Sequence, residues 1–171
     1  MPSPSLFDFS SSSPDAPTEW QSIDDPVMGG VSESQFVATD EGAAFTGTVS
    51  LAHGGGFASI RAPEADYDLG NAEGLQLRLR GDGKRYWFTS YMETGGSVSY
   101  RAPIEPAEHW TTVSVAFDDL TPYRRGTKVL DAPPFDPAQL RTFGFLIADE
   151  QDGPFRLEVA WIRAGLSTSS S

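Results

Sequence analysis

The residues that most invite a chemical reading are arginines. Arg61, Arg78, Arg80 and Arg101 all fall inside runs with the two-residue alternation of β-strands, not in loops. A guanidinium pairs with a carboxylate or phosphate through two parallel hydrogen bonds and stacks on aromatic rings. Trp87 and Tyr91 fall on one side of their own expected strand. Together these residues point to a cationic stripe on one open sheet face, able to hold a ligand or partner through arginine and aromatic side chains. The competing reading is that each arginine pairs with a cross-strand Asp or Glu.

Other chemistries find less support. The two histidines, His53 and His109, lie in expected loops far apart in the chain, and no serine occupies a G-x-S-x-G elbow. Cysteine is absent, which removes thiolate catalysis, disulfides and Cys-based metal sites. Carboxylates able to pair for glycoside hydrolysis abound (Asp24, Asp25, Asp118, Asp119, Asp149, Glu150, Asp152). Their abundance in an acidic chain makes any one pair uninformative. Asp149 to Gly153 has the composition of a calcium turn without the EF-hand pattern. V-M-G-G-V and H-G-G-G-F match neither a Walker loop nor G-x-G-x-x-G before a helix, so these glycines read as bends. No metal and no cofactor is expected, and no catalytic residue is assigned.

Positioning the arginines requires strands. Leu75 to Arg80 alternates strictly, with leucines inward and Gln76, Arg78 and Arg80 outward. Gly81 to Lys84 then reads as a hairpin turn, because Asp-Gly takes tight-turn angles readily. The expected return strand places Tyr86, Phe88 and Met92 on one face, Trp87 and Tyr91 on the other. Further alternating runs cover Ala43 to Leu51, Ser97 to Ala102 and Trp110 to Phe117, and Phe155 to Trp161 is expected to keep Phe155, Leu157, Val159 and Trp161 on one face. Thr121 to Pro137 reads as the longest irregular stretch. The chain holds 17 glycines and 13 prolines, many clustered between short apolar runs, and no run with the 3.6-residue period of a three-turn helix. The pattern predicts an all-β fold, an antiparallel β-sandwich or jelly roll, with residues 1–166 as a single domain and 167–171 as a disordered serine-rich tail.

The formal charge of −12 argues against nucleic-acid binding, since a phosphate backbone would be repelled. Apolar runs are far too short for the roughly 20 residues that span a bilayer, and the N-terminus has no secretory pattern. Membrane insertion is not expected, and a cytoplasmic location is.

Several motifs in order carry a family resemblance: W-x-x-x-D-D-P-V-M-G-G-V-S-E-S from Trp20, F-T-G-x-V-S-L from Phe45, G-G-F-A-S-I-R from Gly55, G-D-G-K-R-Y from Gly81, S-Y-R-A from Ser99, the R-G at Arg125, and G-P-F-R-L-E-V-x-W-I from Gly153. They resemble the complex I intermediate-associated protein 30 family over roughly Leu6 to Ala164. The resemblance implies a galactose-binding-domain-like β-sandwich, similar to certain carbohydrate-binding modules. It also implies a chaperone-like role without catalysis, since mitochondrial relatives assist assembly of NADH:ubiquinone oxidoreductase. Carried onto this sequence, it marks Asp24, Met28, Ser32, Ser59, Arg61 and Arg101 as lining a site, with the bends drawing Asp24, Met28 and Ser32 towards Arg61. Strand facing and position add Trp87, Tyr91 and Arg125. Trp20, Phe57, Trp110, Phe155 and Trp161 are expected as core anchors. The implied partner is a protein, such as a respiratory-complex subunit or assembly intermediate. The alternatives are a glycan-binding module or, further off, a glycoside hydrolase.

Overall fold

A computed structural model describes residues 5–9, 20–24, 33–39, 42–49, 58–63, 72–92, 98–124, 127–132, 135–147 and 153–165. These residues form β1 (Ser5–Asp8), β2 (Gln21–Asp24), β3 (Glu33–Ala38), β4 (Ala43–Val49), β5 (Ala58–Arg61), β6 (Gly74–Arg80), β7 (Tyr86–Met92), β8 (Ser99–Ile104), β9 (Thr111–Ala116), β10 (Thr121–Arg124), β11 (Thr127–Lys128), β12 (Leu140–Ile147) and β13 (Gly153–Ala164). The only helical turns among them are short 3-10 pieces at Phe117–Asp119 and Pro137–Gln139. One sheet runs β3-β4-β13-β6-β9, with β1 also paired to β13, and the other runs β11-β10-β8-β7-β12-β5-β2. Every pairing is antiparallel. The expected sandwich of two antiparallel sheets is the observed architecture.

Alternation explains how the layers close. Leu75, Leu77 and Leu79 of β6 are fully buried, while Gln76, Arg78 and Arg80 between them are partly exposed. From the other sheet, Phe88 of β7 and Phe143, Phe145 and Ile147 of β12 enter the same core. Within this core Trp20 packs near-parallel to Phe145 (centroids 6.4 Å apart) and against Phe9 and Phe36. Phe45, the cross-strand partner of Phe36, meets Phe155 edge to face, and Phe155 in turn meets Tyr86. Strand β12, interior to the seven-stranded sheet, is buried on nearly its whole length, at Thr142, Gly144 and Leu146 as well as at Phe143, Phe145 and Ile147.

Four expectations require correction. Gly81 to Lys84 is a tight turn, with Gly83 at φ +88°, but it is not a hairpin. Strands β6 and β7 belong to different sheets, so the turn carries the chain from one layer to the other. Asp82 fixes this corner: its carboxylate accepts from the Lys84 backbone N–H (3.2 Å), the Tyr86 hydroxyl (3.0 Å) and the Arg156 backbone N–H (2.7 Å). Second, Trp161 is not a core anchor. A register shift between Val159 and Trp161 inverts the alternation, so Ile162 pairs with Leu77 and is fully buried while Trp161 pairs with Arg78 and stays half-exposed. Third, Trp110 is also only half-buried, lying under the Arg80 guanidinium. Fourth, the stretch expected to be irregular contains β10 and β11. Trp20 and Phe155 are core residues, and Phe57 lies outside the described residues.

Candidate functional site

The corner at Asp82 decides where the arginines go. Outward side chains of β6 and of β7 leave the sandwich on opposite sides, because the two strands lie in opposite layers. Arg78 and Arg80 therefore stand on the outer face of the six-stranded sheet, and Arg61 and Arg101 on that of the seven-stranded sheet. The single stripe expected from the sequence does not exist.

Arg78 and Arg80 are largely occupied within the fold. Arg80 holds Glu158 in a two-point grip, Nε to Oε2 at 2.7 Å and Nη2 to Oε1 at 2.8 Å. Arg156 adds a longer contact to the same carboxylate, at 3.5 Å. These donors, with the Arg80 hydrogen bond foremost, hold the Glu158 carboxyl below the usual range despite its burial. Arg78 donates to Thr112 Oγ1 at 3.3 Å. The reading of a cross-strand acidic partner holds for Arg80, whereas Arg78 meets a threonine hydroxyl across the strands.

Across the other face, the register lines up a single row: Thr121 with Arg101, Arg101 with Thr89, Thr89 with Gly144, Gly144 with Arg61, and Arg61 with Gln21. Thr89 is buried and, with Gly144, makes a low floor between the two arginines. A Cβ at position 144 would collide with the Ile60 carbonyl oxygen, so glycine there lets β5 approach β12 and carry Arg61 to the row. A parallel row joins Pro103, Trp87, Leu146, Ser59 and Ile23. Ser59 and Leu146 are buried and Trp87 is half-exposed.

Both arginines are pinned by tyrosines. The Arg61 guanidinium lies 4.0 Å from the Tyr91 ring centroid, and its Nη2 donates to the Tyr91 hydroxyl at 2.9 Å. Arg101 lies 5.2 Å from the Tyr123 ring centroid, its Nε donating to Ser99 Oγ at 2.9 Å. Trp87 meets Tyr123 edge to face at 5.8 Å. Such a cation–ring contact stabilises by about 0.5–2 kcal/mol, depending on how far water is excluded. Of the expected site residues, Ser59, Arg61, Trp87, Tyr91 and Arg101 thus share this face. Asp24 pairs with Ala58, the parity opposite to Ser59 and Arg61. Met28, Ser32 and Arg125 lie outside the described residues, as does the tail.

Tyr123, Ser99, Thr89 and Gly144 were missed. Tyr123 sat in the stretch read as irregular, and its one signal was a short T-P-Y-R run beside Leu120. The others are small residues whose importance comes only from the register. Asp118 and Asp119 are exposed in a 3-10 turn after β9, and His109 is exposed. Among the described residues, no group of three or more His, Asp or Glu is arranged to hold a metal ion, and no helix is long and apolar enough to cross a membrane.

A family model described as complex I intermediate-associated protein 30 (CIA30) matches residues 7–159. Among solved structures, the chain is similar to the family 11 carbohydrate-binding module of the cellulosomal cellulase Lic26A-Cel5E of Clostridium thermocellum, with a TM-score of 0.63 and 14% identity over 96% of this chain and 95% of that one. A family 11 module from the same organism, in complex with a β-1,3-1,4-mixed-linked tetrasaccharide, matches with a TM-score of 0.61 and 14% identity over 94% and 95% of the two chains. An agarase, AgWH50C, gives a TM-score of 0.61 and 15% identity over 95% of this chain but 26% of its own. At these identities the likeness is one of fold.

Proposed function

The chain belongs to the complex I intermediate-associated protein 30 family, and on that premise we propose that it is a non-catalytic assembly module that docks a protein partner on the outer face of its seven-stranded sheet. The observation that carries the reading is the pair of tyrosine-pinned arginines, Arg61 on Tyr91 and Arg101 on Tyr123, facing each other across Thr89 and Gly144. Arginine and aromatic residues are enriched where protein interfaces concentrate their binding energy, and pre-positioned side chains lose less freedom on binding. The partner class is a respiratory-complex subunit or assembly intermediate. Asp24, Met28, Ser32 and Arg125 enter this proposal through the family motifs alone.

The test is co-purification of the cross-linked, tagged protein with subunits of NADH:ubiquinone oxidoreductase, quantified by mass spectrometry. Wild type and R78A, altered on the opposite face, should retain the subunits, and the R61A/R101A double variant should lose them. Equal recovery by the double variant would remove the face from the proposal. No recovery by wild type would remove the assembly role.

Glycan binding at the same face is the second reading, favoured by the likeness to a fold whose relative is bound to a tetrasaccharide. Sugar rings stack on open aromatic faces, yet here one face of Tyr91 and one of Tyr123 are taken by guanidinium groups. That weighs towards the protein partner. Calorimetric titration with β-1,3-1,4-linked glucan oligosaccharides separates the two, since millimolar or tighter binding would favour the glycan.

A further inference from the structure

The strands that end each sheet differ in how they are protected. An outermost strand offers a row of unpaired N–H and C=O groups, and proteins blunt it with charge, proline, irregular pairing or brevity. Among the described strands, β3 carries Glu33, β2 carries Asp24, β1 carries Asp8 and an irregular register, and β11 is a short strand with Lys128. Strand β9, T-T-V-S-V-A, has none of these devices, and it pairs in regular register with β6 alone. The Phe117 N–H donates to the Glu73 carbonyl oxygen at 2.9 Å, so the pair just beyond β9 is a hydrogen-bonded one. Bonded and non-bonded pairs alternate along an antiparallel ladder, so Thr111, Val113 and Val115 bond to β6. Thr112, Ser114 and Ala116 therefore turn their N–H and C=O groups to the free edge, where no described strand pairs with them. Thr112 and Ser114 are exposed, and Val113 and Ala116 are half-buried.

We infer that this edge joins two copies of the chain, β9 against β9 about a two-fold axis at Ser114, into one continuous sheet. An antiparallel edge is its own complement. With Ser114 opposite Ser114 of the second copy, Thr112 meets Ala116 and Ala116 meets Thr112, and each of these pairs exchanges both of its hydrogen bonds. The small outward side chains let the two strands approach. On the inner side Val113 meets Val115 of the second copy, which carries the apolar Leu77–Val113 row across the junction to Leu75. Charge fits the same arrangement. Arg78, bonded to Thr112, flanks the N-terminal half of β9, while Glu73, Asp118 and Asp119, all exposed, flank its C-terminal end. Antiparallel pairing sets each copy's Arg78 towards the other's acids. Glu108, the nearest acid before β9, has its carboxylate against the Gly83 corner instead. A foreign strand could supply the backbone bonds, whereas a second copy also supplies the matched valines and charges. The net charge of −12 on each copy opposes association at long range, but at physiological ionic strength screening acts over about 8 Å, and β9 itself bears no charge. Because β9 lies in the six-stranded sheet, the dimer leaves the outer face of each seven-stranded sheet open, both on one side of the joined molecule.

The experiment is sedimentation equilibrium of the full chain from low-micromolar to millimolar concentration, with amide hydrogen exchange read by NMR at both ends of the range. The mass should rise from that of the 18.5 kDa monomer to that of its dimer and stop there. The Thr112, Ser114 and Ala116 amides should exchange freely in the monomer and become protected in the dimer. S114K sets like charges opposite each other at the axis and should weaken the dimer about fivefold or more. S114P removes only an outward N–H, at an edge position where proline is tolerated, and should weaken it as well. The chain has no cysteine, so S114C adds a single thiol, whose Cβ would lie about 5 Å from its counterpart across the axis. Mild oxidation should link S114C into a covalent dimer and leave T48C, exposed on β4 of the same sheet, unlinked. A monomer at every concentration, growth beyond the dimer, an unprotected Ser114 amide in the dimer, unchanged association of both S114K and S114P, or S114C linking no better than T48C would each overturn the inference. None of these readouts involves the docking face, so the two proposals stand or fall separately.

Discussion

Arg61 and Tyr91 act as one unit: the guanidinium lies 4.0 Å over the ring and donates to its own hydroxyl at 2.9 Å. The tyrosine fixes the arginine's direction without neutralising it, which a carboxylate partner would do. Ring and hydroxyl contributions can be separated. Y91F removes only the acceptor and should destabilise the fold by about 0.5–1 kcal/mol in urea denaturation. Y91A removes the ring as well and should cost about 1–2 kcal/mol more.

Gly144 is a steric requirement and not a conformational one. Its added Cβ would meet the Ile60 carbonyl oxygen and lie 2.9 Å from the Arg61 Cα, both backbone atoms that cannot rotate away. G144A should therefore force β5 from β12 and cost about 3 kcal/mol, the upper end for overpacking. Thermal unfolding would read this as a fall of roughly 6–12 °C in Tm for a chain of this size. A G144A protein with unchanged Tm would show that the two strands do not approach as described.

Glu158 predicts the acid limb of stability. Its carboxyl is held below the ordinary value of 4.5, first by the Arg80 hydrogen bond. A depressed folded-state value means that the unfolded chain binds the proton more tightly. This contribution is then complete above about pH 4.5 and is lost as pH falls through the folded-state value. E158Q should destabilise the protein by about 2 kcal/mol at pH 7 and flatten the decline below pH 4.5. Urea melts at pH 7, 5, 4 and 3 would check both statements.

Tyr86 predicts the alkaline limb. Burial, then the charge and hydrogen bond of Asp82, push its phenol well above the ordinary value of 10.0. Burial also raises that of Tyr100. A raised folded-state value contributes stability that is complete below pH 10 and is lost as pH rises beyond it. Absorbance titration of phenolate should show both rings ionising only as the fold is lost. Y86F, which cannot ionise, should shift the alkaline unfolding midpoint upward even though it forfeits the bond to Asp82.

Much of the local structure was legible in the chain. The leucines of Leu75–Arg80 point in and the arginines out, as the strict alternation required. Trp87 and Tyr91 share an outward face, while Tyr86, Phe88 and Met92 are buried. The Asp82–Gly83 turn was recognised by its residues. Where the alternation broke without a glycine or proline to mark it, as at the register shift before Trp161, the reading failed. Nothing in V-A-W-I says which residue the ladder will skip.

What the sequence determines by itself is the inward or outward sense of each side chain within a strand, because the period of two is a property of the local backbone. It thereby determines an all-β sandwich, its leucine and phenylalanine core, and the outward direction of Arg61, Arg78, Arg80 and Arg101. Which outward faces coincide is another matter, because sheet membership is set by hydrogen bonds between residues far apart in the chain. Only the tertiary structure decided that the Asp82 corner changes layers, leaving Arg80 to close on Glu158 and bringing Arg61 and Arg101 to one row. The same four arginines that read as one stripe are thus divided between two faces, Arg80 on Glu158 and Arg78 on Thr112 on one, Arg61 on Tyr91 and Arg101 on Tyr123 on the other.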